Sequence, residues 1–333
     1  MTAAKDLVGP HLQAFFAEHL GQHKRASPQT IHSYRDTFRL LLGFMKERTG
    51  TSPASLRLET LNADAVLAFL DHLESQRGCS VRSRNQRLAS IRSFFRLVAL
   101  RAPERVGLAA QILAIPVKRA DRKLVGYLSR DEMVALLGAP DRAVWSGRRD
   151  HALLLTLYNS GARVSEIIAL RRDQVHVGTG PHLELQGKGR KERVVPLWTE
   201  TARVLQAWFR ELGDRVDAVA FPNARGQPLS RDGVDYLLRR AVSSAAQSCP
   251  SLKTKRVSPH VLRHTTAMHL LQAGVDVAVI ALWLGHESIE TTHVYVEADL
   301  ATKERALEKL EPVDTRFARY RADDALLDFL ANL

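Results

Sequence analysis

The chain has 333 residues, 45% of them hydrophobic and 25% charged, the length and balance of a globular protein with two domains. Its longest apolar runs, such as Ala152 to Leu157, are too short to span a bilayer, and no basic segment, apolar stretch and cleavage site open it. Neither a membrane nor a secreted protein is therefore expected, and two cysteines, Cys79 and Cys249, are too few for a disulfide framework or a four-thiolate zinc site.

The reading at this level is a cytoplasmic protein. Its 48 basic and 36 acidic side chains leave a net charge of +12, unevenly placed: +9 over residues 1–120, +8 over 121–286 and −5 over 287–333. Two basic blocks followed by an acidic tail suit a body that binds a polyanion, because each phosphate contact releases counterions. Arginine outnumbers lysine 37 to 11, which coding bias explains as well as phosphate binding does.

Taken in chain order, the first 100 residues predict four helices. A short amphipathic segment covers His11 to Leu20. Ser27-Pro28 supplies an N-cap and a first-turn proline, the apolar residues Ile31, Tyr34, Phe38, Leu41, Leu42 and Met45 follow at helical spacing, and Gly50 ends the run. Asn62 caps a third helix carrying Val66, Leu67, Phe69, Leu70 and Leu73, and Ser80 a fourth carrying Leu88, Ile91, Phe94, Phe95 and Val98. On the fourth, Arg82, Arg84, Arg87 and Arg92 lie off the apolar stripe with no acid beside them, and a DNA-facing side is expected. Residues 101–128 lose periodicity and hold Pro103, Pro116, Lys118, Arg119, Arg122 and Lys123, the pattern of an interdomain linker.

From Ser129 a second, mostly helical domain is predicted. Its single β signal is Leu183 to Gln186 and Val194 to Leu197 flanking the basic turn Gly187-Lys-Gly-Arg-Lys-Glu-Arg193, a hairpin. Helices are expected after Ser129, with Met133, Leu136 and Leu137, and at Arg149 to Asn159, Thr199 to Leu212, Ser230 to Ala246, Pro259 to Gln272, Val275 to Leu284 and around Ile289 to Glu297. Four short patterns are individually ambiguous. Gly161-Ala-Arg163-Val-Ser-Glu166 puts an arginine at a helix entrance, Lys188 sits in the hairpin turn, and His260-Val-Leu-Arg263 sets two cations one turn apart. Leu284-Gly-His286 then precedes Tyr295.

Together, in this order and spacing, these patterns resemble the tyrosine recombinase (phage integrase-like) family over nearly the whole chain. The motifs are Asn159 to Leu170, Gly187 to Arg193, His260 to Ala267, Leu284-Gly-His286 and Tyr295. The resemblance implies a mainly α fold with a small β-hairpin (α+β) in a C-shaped two-domain DNA clamp. Residues 1–110 would form the helical, SAM-like core-binding domain, 111–128 the linker, and 129–333 the catalytic domain with a C-terminal tail.

It also implies strand exchange through a 3′-phosphotyrosyl intermediate and a Holliday junction, with neither metal nor other cofactor. Arg163 and Arg263 match the pair that grips the non-bridging oxygens of a phosphate gaining charge. Tyr295 matches the nucleophile and Lys188 the acid for the leaving 5′-oxygen. Lys191 is the alternative for that last role. His260 would assist as base or phosphate ligand, His286 would hydrogen-bond the phosphate, and Glu166 would orient its neighbours. Arg82, Arg84, Arg87, Lys118, Arg119, Arg190 and Lys191 are the expected DNA contacts.

The implied partner is double-stranded DNA with short inverted-repeat core sites. A homotetramer on two duplexes would hold it, possibly joined by a related recombinase, in a nucleoid-associated setting. An exchanged C-terminal segment, Ala325 to Leu333 or Leu300 to Leu310, would couple protomers. Too little chain precedes residue 10 for an arm-site-binding domain, and the 38 residues after Tyr295 lean toward a mobile-element enzyme. A silent DNA-binding accessory protein and a monomeric type IB topoisomerase are the competing readings.

Overall fold

The computed structural model describes residues 6–120, 126–187, 192–213, 218–286 and 292. The chain divides into two compact units, Met1–Arg122 and Lys123–Leu333.

The first unit is all helix. α1 (Val8–Ala14) runs on into a wider, π-helical stretch, Phe15–His23. α2 (Pro28–Thr49) starts where the Ser27 side chain accepts from the Thr30 amide, and it ends at Gly50, whose φ of +67° is the left-handed cap that glycine adopts without strain. Asn62 and Ser80 cap α3 (Ala63–Ser75) and α4 (Val81–Arg101) in the same way. The core is aromatic: Phe94 meets Phe15, Phe38 and Phe95 edge to face at 5.6, 5.2 and 5.1 Å between centroids, an arrangement favoured by the ring quadrupole.

Two expectations for this unit need correction. The stretch read as aperiodic contains α5 (Val106–Ala114), which packs on α4 and buries Ala109 and Ile112. Its nine residues carry too few turns to display a period. Arg84, expected on an open face, is 2% exposed. Its Nη1 donates to the Pro116 carbonyl at 3.2 Å and to Asn85 Oδ1 at 3.1 Å, because the segment after α5 folds back over that side of α4. Arg87 donates to Thr37 Oγ1 at 3.1 Å and Arg92 to the Ile115 carbonyl. Arg82 and Arg119 are exposed, and Lys118, also exposed, pairs with Glu74.

The second unit is helical around one small sheet. α6 (Arg130–Gly138) opens with a capping box between Ser129 and Glu132. α7 (Trp145–Ser160) supplies the buried spine Leu153, Leu154 and Leu157, against which Leu205, Trp208 and Phe209 of α9 (Thr199–Leu212) pack. α8 (Val164–Ala169) lies between α7 and the sheet in sequence.

The sheet is antiparallel, β1 (Val175–His176), β2 (His182–Gln186) and β3 (Glu192–Pro196), with Leu183 opposite Val195 and Gln186 opposite Glu192. β1 was not foreseen; two residues cannot show alternation. α10 (Arg231–Ser248) completes the main core with Leu237 and Leu238. α11 (Pro259–Gln272) and α12 (Val277–Leu284) share a smaller cluster of Met268, Leu271, Ile280 and Leu284. Among the described residues no helix is long and apolar enough to cross a membrane.

Candidate active site

The site begins at a turn that demands glycine. α7 ends at Gly161 with φ +59°, and a Cβ there would stand 2.5 Å from Leu284 Cδ2, far inside van der Waals contact. The sharp exit lets Arg163 take the N-cap position of α8. Glu166, at the third position of that helix, turns its carboxylate back: Oε2 accepts the Arg163 backbone N–H at 2.8 Å, and Oε1 accepts Arg163 Nη1 at 2.8 Å. From β3, Arg193 closes on the same carboxylate with Nη1 and Nη2 at 3.0 and 2.7 Å, a bidentate pair. Burial alone would raise the Glu166 carboxyl, but Arg193, then the Arg163 amide and guanidinium, hold it below the ordinary glutamate value. Glu166 is therefore an anion at neutral pH, with a side chain only 2% exposed.

The second organising feature is the C-terminus of α12, where helix carbonyls lack intrahelical donors and the macrodipole is negative. Three consecutive carbonyls there each receive an arginine. The Trp283 carbonyl accepts Arg193 Nε at 3.1 Å, the Leu284 carbonyl accepts Arg263 Nη2 at 2.7 Å, and the Gly285 carbonyl accepts Arg163 Nη2 at 3.1 Å. Arg263, 3% exposed on α11, also donates from Nη1 to the Gly161 carbonyl at 2.6 Å. Guanidiniums from α8, β3 and α11 thus converge on one helix end. Each is fixed by neutral carbonyls or a single carboxylate, so positive charge accumulates in one preorganised place.

Three histidines stand in that field. His260 and His264, one turn apart on α11, meet edge to face at 4.1 Å. His286 follows the α12 cap, with Nδ1 hydrogen-bonded to Thr292 Oγ1 at 2.7 Å. Desolvation and then the charges of Arg263, Arg163 and Arg193 push His286 down to about 4. Desolvation, His260 and Arg263 push His264 to about 3, and His260 is lowered by desolvation, Arg263 and Arg163. All three imidazoles are held neutral at pH 7, the form in which a ring nitrogen can accept a proton.

The structure therefore brings together Arg163, Glu166, His260, Arg263 and His286. Lys188, Arg190, Lys191 and Tyr295 lie outside the described residues, although β2 and β3 flank the first three in sequence. Arg193 was missed as a site residue. It closes the Gly187 to Arg193 hairpin turn, and its partnership with Glu166, 27 residues earlier, is a tertiary fact that spacing does not reveal. A mainly basic wall was also missed: Arg239, Lys253, Arg256 and Lys255, the last paired with Glu132, line with Asp232 and Asp235 a cavity of about 730 Å³ that includes Ser258, the N-cap of α11.

A site of this geometry invites comparison with known proteins. Residues 126–301 match the model of the phage integrase family, and residues 14–101 match the phage integrase N-terminal SAM-like domain. The chain belongs to the phage integrase family. A putative integrase/recombinase of Sinorhizobium fredii is 52% identical over 98% of each chain. Tyrosine recombinase XerC of Pelobacter propionicus is 33% identical over 89% of this chain and 94% of its own.

Solved structures agree in fold. XerH site-specific recombinase bound to a palindromic difH substrate gives a TM-score of 0.67 at 20% identity, covering 86% of this chain and 81% of XerH. The Tn1549 transposon integrase with a circular intermediate DNA gives 0.68 at 16%, covering 92% of this chain and all of that one. This integrase-family chain is thus a tyrosine recombinase by kinship, mostly helical with a three-stranded sheet.

Proposed function

We propose that this recombinase cuts and rejoins double-stranded DNA at short inverted-repeat sites through a 3′-phosphotyrosyl intermediate and a Holliday junction, in the service of a mobile element. The observation that carries the reading is the convergence of Arg163, Arg193 and Arg263 on the α12 C-terminus beside three neutral histidines. A phosphodiester gains charge as it becomes pentavalent, and fixed guanidiniums stabilise that charge without reorganising.

Arg163 and Arg263 would grip the non-bridging oxygens, and His286 and His260 would hydrogen-bond the phosphate or relay a proton. Tyr295 would attack phosphorus, conserving the bond in an ester, while Lys188 protonates the departing 5′-oxygen. Glu166, which touches Arg163 but would not touch the phosphate, is a positioning residue. Arg82, Arg119, Arg190, Lys191 and, once released from Glu74, Lys118 would hold backbone phosphates with the wall of Arg239, Lys253 and Arg256.

A homotetramer on two duplexes, with or without a related recombinase, is the assembly this chemistry would use. A groove of about 560 Å³ lined by Met133, Val134, Leu137, Trp198, Leu270 and Trp283 supports a coupling role for an apolar segment such as Ala325 to Leu333. The transposon integrase among the relatives in fold favours the mobile-element setting.

Covalent capture tests the reading. Purified protein is incubated with fragmented DNA from its source, including the flanks of its gene, and denatured in SDS, and attached DNA is sequenced. Adducts at one short sequence, absent from Tyr295→Phe, are expected; Arg163→Ala and Arg263→Ala should lose cleavage and keep DNA binding. Adducts at every sequence would indicate a relaxing topoisomerase. Normal cleavage by either arginine variant would overturn the phosphate clamp.

A further inference from the structure

We infer that the solvent-facing side of the three-stranded sheet carries a divalent transition-metal site made by His176, His182 and Glu184. Strand alternation sends Leu183 and Leu185 into the core and leaves His182 and Glu184 on the outer face. The β1–β2 register sets His176 directly opposite His182. The two imidazoles stack at 4.3 Å, and the ligating atoms of all three side chains lie within 4.8 Å of one another. Among the described residues this is the one grouping of three such side chains.

Two details prepare this trio for a metal ion. His176 Nε2 stands 3.1 Å from Glu184 Oε1. Glu184 accepts here, so His176 Nε2 carries the proton that an ion would displace, and the pair already lies near the roughly 3.3 Å that separates tetrahedral ligands with bonds of about 2.0–2.1 Å. His182 Nδ1 lies 2.7 Å from the Gly180 carbonyl. A carbonyl only accepts, so Nδ1 carries the proton and Nε2 presents its lone pair outward. That backbone-carbonyl brace is the outer-shell contact that fixes the tautomer of metal-bound histidines. Two imidazoles and one carboxylate select Zn²⁺, Co²⁺, Ni²⁺ or Cu²⁺ over Mg²⁺ or Ca²⁺, with water completing the shell. The ion would clip the two-residue strand β1 to β2, a stabilising role separate from the phosphate site.

The test is a Co²⁺ titration of the untagged full-length protein, followed by visible absorption in a non-chelating buffer, with Zn²⁺ competition. A saturable ligand-field band displaced by Zn²⁺ is expected. His176→Gln and His182→Gln should each raise Kd at least about tenfold, with unchanged far-ultraviolet circular dichroism, and His260→Gln should leave the titration unaltered. Zn²⁺ should raise Tm in the wild type and not in His182→Gln. Absence of a saturable band overturns the site, as does a titration that His176→Gln and His182→Gln leave intact. Loss confined to His260→Gln would assign the metal to the α11 histidines and equally overturn it.

Discussion

Each unit buries arginines, and the two do so by different chemistry. On α4, Arg84, Arg87 and Arg92 reach only neutral acceptors, the carbonyls of Pro116 and Ile115, Asn85 and the Thr37 hydroxyl, and each leaves a buried Nε without a hydrogen-bond partner. Around α12, Arg163 and Arg193 share the Glu166 carboxylate, and with Arg263 they cap successive helix carbonyls. The first set latches α4 to α2 and to the chain after α5. The second is a charge cluster locked in place before any ligand arrives. Buried arginine is thus no single signal: the acceptors decide whether it works as a latch or as preorganised charge.

The largest break in this contrast should come from Glu166→Ala. It strands Arg193, whose side chain is 10% exposed, and frees Arg163, which is 36% exposed. Removing one partner of a buried pair costs about 3–5 kcal/mol, and the lower end is expected because Arg163 can reach water. Urea unfolding of the full chain reads the loss. An unchanged midpoint would mean that the α12 carbonyls alone hold the guanidiniums.

Gly161→Ala comes next. It forces a side chain into the left-handed region and against Leu284, where strain and overpacking together cost about 2 kcal/mol. The substitution also displaces the carbonyl that receives Arg263, so DNA cleavage should fall more than DNA binding does.

On the latch side the expected effect is smaller. Arg84→Met keeps the buried stem and deletes the bonds to Pro116 and Asn85, for about 1 kcal/mol, because it also removes the orphaned Nε. Arg82→Ala, on the exposed neighbour, should leave stability within about 0.5 kcal/mol while lowering DNA affinity in a salt-dependent way. Equal stability loss in both would dissolve the distinction between latch and surface arginine.

That distinction also marks what could be read before the structure was known. Helix starts at Ser27, Asn62, Ser80, Ser129 and Ser230 were legible because capping is local chemistry, a side-chain oxygen three residues from an orphan amide. Arg163, Glu166, His260, Arg263 and His286 were legible from motif order, and they meet in space. Arg193 was not, because its role depends on β3 lying beside α8 and α12. Arg84 was misplaced because an off-stripe position says nothing about a later segment folding over it. α5 and β1 were too short for their periods to register.

The histidines sharpen the comparison from the α12 side, since burial first and then the neighbouring positive charges hold their protons off. Folded His264 titrates near 3 and His286 near 4, against an ordinary value of 6.5. Between those limits the unfolded chain binds more protons than the folded one, so stability must fall as pH drops below about 6.5 and stop falling on this account near 3. Glu166, with its folded carboxyl lowered, adds a loss in the same direction below its unfolded value. Urea midpoints from pH 7.5 to 4.5 should therefore decline, with a shallower slope in His264→Asn. Histidine-selective NMR should show the His286 ring still neutral at pH 5.5. A phosphate-bearing ligand seated on the arginines would cancel part of their field and raise that titration, whereas the same ligand should leave the α4 arginines and their neighbours unmoved. An upward shift at His286 alone would show that the preorganised cluster, and not the latch, is where phosphate binds.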